Sequence, residues 1–134
     1  MNPTKVLIVD DDAFLLDMYA LKFKESGFQV EIAKDGDEAY EKIKSANPRA
    51  ILLDIVMPKI DGFDVLRKIK QDNIAPNAII LILTNLGQKE DVERGLKLGA
   101  DDYIVKAHFT PSEVVAKVKS LLARLPDEQD KKPV

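Results

Sequence analysis

Acidic residues fall in two places where they can act together. Asp10-Asp11-Asp12 follows the apolar run Val6–Val9, and Asp54 follows Ala50–Leu53. Two further apolar runs, Ala78–Leu83 and Tyr103–Val105, lead into Thr84-Asn85 and Lys106. Carboxylates brought within a few ångströms of one another repel, so such a cluster must hold protons or recruit a cation. With oxygen donors only, and no imidazole or thiolate beside them, a hard divalent ion such as Mg²⁺ or Mn²⁺ fits better than Zn²⁺. Magnesium retains waters and uses one or two carboxylates, which leaves the site open to a phosphoryl oxygen. Phosphoryl transfer asks mainly for positioning and charge neutralisation. Asp54 offers an acceptor carboxylate, Lys106 a mobile point charge and Thr84 a hydrogen-bond donor. A carboxylate nucleophile needs no base near pH 7. The product of this chemistry is an aspartyl phosphate.

These residues are useful together only if the fold gathers them. Short apolar runs alternate with longer segments of helical period, the pattern of strand–helix units that close a parallel sheet. Four runs are apolar throughout, as strands covered on both faces should be. Phe28–Ala33 alternates instead and reads as an edge strand. Five strand–helix pairs in the order 2-1-3-4-5 place the first and third strands side by side at the reversal of strand order, where open α/β sheets bind ligands beyond the strands' carboxyl ends.

The helical segments carry their own signals. Phe14, Met18 and Leu21 recur at helical spacing, as do Ala39, Ile43 and Ala46, then Val65, Leu66 and Ile69, then Val92 and Leu96. Each set is expected to face the core. Val114, Val118, Leu121, Leu122 and Leu125 form the last stripe, and Thr110-Pro111-Ser112-Glu113 has the form of a capping box with proline at the first helical position. Asp35 offers a similar cap, Asp61-Gly62 shapes a loop and caps the third helix, and Gly27 and Gly99 stand where helices should stop.

Composition bounds the rest. The chain has 134 residues, a net charge of −3, 46% apolar residues and no cysteine. That is one domain, expected over residues 1–125, with a tail at 126–134 too polar to bury and expected to fray. Disulfides, thiolate zinc sites and cysteine nucleophiles are excluded. The longest apolar run, Ala78–Leu83, is far short of a bilayer span, and the first residues lack the pattern of a signal peptide. The expectation is a cytoplasmic protein without membrane insertion. Mild acidity and the lack of a basic stripe argue against direct contact with nucleic acid.

Val6-Leu7-Ile8-Val9-Asp10-Asp11-Asp12, Leu53-Asp54-Ile55-Val56-Met57-Pro58-Lys59-Ile60-Asp61-Gly62, Ile82-Leu83-Thr84 and Gly99-Ala100-Asp101-Asp102-Tyr103-Ile104-Val105-Lys106 stand in that order. From Lys5 to about Leu125, the chain resembles the receiver domains of two-component response regulators, single-domain chemotaxis receivers among them. The resemblance implies a flavodoxin-like sheet of five parallel strands flanked by five helices. It implies phosphorylation of Asp54 by a histidine kinase or phosphotransfer protein. It also implies Mg²⁺ held by Asp10, Asp11, Asp54 and the backbone carbonyl of Val56, with Lys106 on the phosphoryl group. Thr84 would switch and Tyr103 would swing inward behind it. That change would alter a partner surface made by the fourth helix, fifth strand and fifth helix.

Three positions depart from the pattern. Ala107 follows Lys106 where proline, joined by a cis bond, is usual, so either a trans bond with a shifted loop or a strained cis bond is expected. Asn85 replaces the small residue after the threonine, where it can crowd the phosphate entrance or donate to it. Val56 is apolar where many relatives carry a polar group that helps position water, which implies a long-lived phosphoryl state. Asp12 either joins the acid pocket or caps the first helix. His108, on a loop beyond the lysine, reads as an ordinary surface residue. Two rival functions keep the same sheet: a scaffold receiver that binds without being phosphorylated, and a Mg²⁺-dependent phosphohydrolase. The second lacks its usual carboxylate at position 56. A nucleotide or flavin site is disfavoured because the first strand-to-helix turn is Asp-rich rather than Gly-rich.

Overall fold

The computed structural model describes residues 3–57, 60–85 and 89–124. Five strands, β1 (Lys5–Val9), β2 (Gln29–Ala33), β3 (Ala50–Asp54), β4 (Ile79–Thr84) and β5 (Asp102–Val105), alternate with α1 (Ala13–Glu25), α2 (Gly36–Ala46), α3 (Gly62–Gln71), α4 (Lys89–Lys97) and α5 (Pro111–Ala123). A 3₁₀ turn, Lys106–His108, joins β5 to α5. All strand pairs are parallel, in the order β2-β1-β3-β4-β5. This is the flavodoxin-like receiver architecture that the sequence implies, with β2 at the edge.

Alternation along the strands divides the core into two layers. Val6, Ile8, Leu52, Leu81, Leu83 and Ile104 pack with Leu16, Tyr19 and Phe23 of α1 and Val114, Val115 and Val118 of α5. Leu7, Val9, Ile51, Leu53, Ile80 and Ile82 pack on the other face, with Ala39 and Ile43 of α2 and Phe63, Val65, Leu66 and Ile69 of α3. Covering both faces explains why these strands are apolar at successive positions.

The expected caps form. Asp35 accepts from Glu38 N–H at 2.8 Å, Asp61 from Asp64 N–H at 2.9 Å, and Thr110 and Glu113 make a reciprocal capping box. α1 and α4 end shortly before Gly27 and Gly99. Leu125, the tail at 126–134, and Pro58-Lys59 lie outside the described residues.

Two helical faces differ from expectation. In α1 the buried residues are Leu16, Tyr19, Ala20 and Phe23, whereas Phe14 is 72% exposed and Leu21 61% exposed. This helix is apolar on two faces, so periodicity alone allows two rotations. The edge-to-face contact of Phe23 with Phe28, 5.1 Å between ring centroids, belongs to the rotation adopted. In α4, Val92 and Gly95 are buried and Leu96 is exposed. A Cβ at position 95 would fall 1.8 Å from Ile82 Cδ1, so α4 approaches the sheet through its glycine, and Leu96 turns to the margin. Among the described residues no helix is long and apolar enough to cross a membrane.

Candidate functional site

The carboxyl ends of β1 and β3 lie side by side, and each delivers an aspartate. Asp10 follows β1 and is fully buried; its N–H donates to Ala33 O at 3.1 Å, and its Oδ1 accepts from Asp12 N–H at 2.9 Å. Asp54 closes β3 and is also buried, with Oδ1 accepting from Val56 N–H at 3.1 Å. The loop beyond it is pinned by Ile55 N–H to Leu83 O at 3.3 Å and Gly62 N–H to Ile55 O at 3.2 Å. Gly62 is needed there because a Cβ would lie 2.4 Å from the Asp54 carbonyl oxygen, a backbone atom that cannot yield. α3 therefore starts directly against the strand that carries the aspartate.

Lys106 enters from the end of β5. Its Nζ is 3.1 Å from Asp54 Oδ2, a hydrogen bond, and 2.7 Å from Asp10 Oδ2. The second contact is a close buried ion pair, so one ammonium is shared between two buried carboxylates. The peptide bond to Ala107 is trans, like every other among the described residues, and it lies within the 3₁₀ turn. With that trans bond the lysine still reaches both carboxylates.

Carboxylate oxygens of Asp10, Asp11 and Asp54 lie within 4.8 Å of one another, with Asp11 exposed at the mouth. Three carboxylates face one ammonium. An all-oxygen set with excess negative charge suits a hard divalent cation. Burial pushes the Asp54 carboxyl up to about 6 from an ordinary 3.8, against the lowering effects of Lys106 and the Val56 amide, while Asp10 adds to the rise. Burial acts to lower the Lys106 pKa, but the carboxylates of Asp10 and Asp54 outweigh it and the ammonium is held above its ordinary value.

Thr84 is buried at the end of β4, one position beyond the Asp54–Leu83 register pair and opposite Val105. Asn85 and Val56 are exposed at the rim, as is Ala107 on the 3₁₀ turn. Asp12 stands apart from the oxygen cluster and caps α1, accepting from Phe14 and Leu15 N–H at 3.0 and 3.2 Å. Tyr103 points outward and is 39% exposed. His108 is an exposed residue of the 3₁₀ turn.

The sequence pattern does not single out Tyr19, which is buried on α1. Burial raises its hydroxyl's pKa, and the charges of Lys106, Asp10, Asp54 and Asp12 also act on it. Its only signal was a polar-tipped aromatic on the face of α1 shared with Leu16 and Phe23.

Fold and site together define a receiver. The family of response regulator receiver domains matches residues 6–119, and the chain belongs to it. It is 41% identical over 123 residues to the transcriptional regulatory protein ResD of Bacillus subtilis, covering 92% of this chain and 50% of ResD. The chain spans about half the length of the curated relatives it matches. Among solved structures, a Francisella response regulator receiver domain superposes with a TM-score of 0.81 at 36% identity, covering 90% of this chain and 98% of that one. CheY of Borrelia burgdorferi, in a complex with CheX, beryllofluoride and Mg²⁺, gives a TM-score of 0.81 at 35% identity, covering 90% of each chain.

Proposed function

We propose that this receiver accepts a phosphoryl group on Asp54 from a phosphohistidine of a histidine kinase or phosphotransfer protein, and thereby switches a protein-binding surface. The observation that carries the reading is the Lys106 ammonium set between two buried aspartates at the ends of neighbouring strands. In the transfer, an Asp54 carboxylate oxygen bonds to phosphorus, the P–N bond breaks, and the imidazole leaves with that electron pair. Asp10, Asp11, Asp54 and the Val56 carbonyl are the proposed ligands of Mg²⁺, with Mn²⁺ an acceptable substitute; the ion supplies neutralisation of carboxylate and phosphoryl charge. Lys106 holds a phosphoryl oxygen, and the Thr84 hydroxyl donates to another. The complex of the Borrelia CheY with beryllofluoride and Mg²⁺ supports this assignment.

Output passes through the face of α4, β5 and α5 to a protein partner, in the cytoplasm, without direct nucleic-acid contact by this domain. The domain catalyses its own phosphorylation and dephosphorylation and turns over no metabolite. A phosphohydrolase is disfavoured by Val56, which puts an exposed isopropyl group where a second carboxylate would be needed. A scaffold role without phosphorylation has less support, because the trans bond to Ala107 does not keep Lys106 from Asp54.

Intact-mass measurement after incubation with acetyl phosphate and Mg²⁺ tests the proposal. The wild type should gain one phosphoryl group, while Asp54→Asn and a metal-free control should gain none. A wild type left unmodified by both acetyl phosphate and beryllofluoride would leave the scaffold role in its place.

A further inference from the structure

Tyr103 is a large aromatic residue left substantially exposed on β5, where Ile104 and Val105 after it are buried. The structure supplies one candidate tie. Lys117, on α5, places its Nζ 6.0 Å from the Tyr103 ring centroid and 5.6 Å from that of Phe109. Both distances fall at about the 6 Å reach of a cation–π contact. The same ammonium is 3.4 Å from Asp102 Oδ2, and the other oxygen of that carboxylate accepts the Tyr103 N–H at 2.8 Å. Phe109 packs against the core layer under α1 and α5. One cation thus joins the start of β5, the outward ring, the connection after the 3₁₀ turn and the middle of α5.

We infer that Lys117 is a latch that holds the Tyr103 ring on the solvent side of β5, so that this face leaves its resting arrangement only when the ring breaks from the ammonium. The contacts with Asp102 and Phe109 persist whichever way the ring points; the contact with Tyr103 does not. Lys117 therefore favours the outward rotamer alone, and the equilibrium shifts by the differential contact. The consequence for signalling rests on the reading of Asp54 as phosphoacceptor: phosphorylation must overcome this tie before the α4, β5 and α5 surface can change. The ring's position in the resting protein does not rest on it.

Protein labelled with 3-fluorotyrosine gives signals from its three tyrosines, Tyr19, Tyr40 and Tyr103, the last assigned by Tyr103→Phe. In Lys117→Met, which keeps the stem and loses the charge, the Tyr103 signal should move and lose solvent sensitivity, with the inward-to-outward ratio rising about 2- to 5-fold. Asp102→Asn, which frees the ammonium but keeps an acceptor for the Tyr103 N–H, should act in the same direction and less. Lys117→Arg should retain the wild-type signal, and added salt should weaken the latch by screening. A Tyr103 signal unmoved in both Lys117→Met and Asp102→Asn would overturn the latch. With Mg²⁺ and beryllofluoride, Lys117→Met should reach half-saturation at a concentration lower by the same factor. Failure of wild type to bind beryllofluoride would strike the Asp54 reading, while the fluorine signal of the resting protein still decides the latch.

Discussion

Lys106 opens the turn that follows β5 and Lys117 lies on the helix after it; both meet carboxylates, yet the chain uses them in opposite ways. Lys106 is buried between Asp10 and Asp54, at 2.7 and 3.1 Å, inside a pocket whose walls are strand ends and a helix start. Lys117 lies partly exposed, 3.4 Å from Asp102, with two aromatic rings at the limit of contact. Removing one member of a buried ion group strands the others without solvent, which costs several kcal/mol. A surface pair is worth about 0–1 kcal/mol. The first arrangement fixes geometry for chemistry; the second can bias a rotamer equilibrium without freezing it. A switch needs both, one region that does not yield and one that yields to a modest push.

The largest effect expected on this contrast is that of Lys106→Met. In the absence of divalent metal at pH 7, it leaves Asp10 and Asp54 buried without a counter-charge and should lower unfolding stability by about 3 kcal/mol. Mg²⁺ should restore part of the loss, because a cation on the same carboxylates stabilises the folded state by mass action. Urea unfolding with and without Mg²⁺ measures both quantities. A loss under about 1 kcal/mol would make the pocket no different in kind from the surface.

A smaller effect follows from Asp54. Its folded pKa of about 6 lies above the ordinary 3.8, so between those values the folded state holds a proton that the unfolded chain releases. Its contribution is therefore most favourable below about pH 4, is lost as pH rises toward 6, and is flat above. The loss is on the order of 2–3 kcal/mol at most, at 1.36 kcal/mol per unit. Without metal, Asp54→Asn should remove this slope and be more stable than wild type at pH 7. Parallel slopes for the two proteins between pH 4 and 6 would show that burial does not burden Asp54.

Much of the pocket was legible because its chemistry requires particular residue types at strand ends. Apolar runs located the strands, and the residues that ended them were Asp10, Asp54, Thr84 and Lys106. Caps at Asp35, Asp61 and Thr110 were equally readable, since each satisfies amides within its own first turn. What escaped was set by contacts distant in sequence. The rotation of α1 depended on which of two apolar faces met the sheet, so Phe14 and Leu21 were placed inward wrongly. Leu96 failed for a related reason: Gly95 lets α4 approach Ile82, a contact invisible in a residue's own periodicity. Lys117 had no signal at all, because a lysine on a helix becomes a tie only when rings from β5 and the following connection arrive beside it.

The smallest effect belongs to that tie and is the sharpest measure of the contrast. Lys117→Met breaks a partly exposed ion pair and two long cation–π contacts, and leaves Asp102 with water to replace its partner. Its cost to global stability should stay under about 1 kcal/mol, since solvent screens the pair and each ring contact contributes about 0.5–1 kcal/mol at exposed sites before side-chain ordering is counted. A loss that small still moves a rotamer ratio several-fold, because about 1.4 kcal/mol is a factor of ten. The same substitution type at two lysines should therefore give a large unfolding change with Lys106 and a small one with Lys117, read in one set of urea titrations. If Lys117→Met cost as much as Lys106→Met, the α4, β5 and α5 face would be held as rigidly as the pocket and could not serve as the yielding half of a switch.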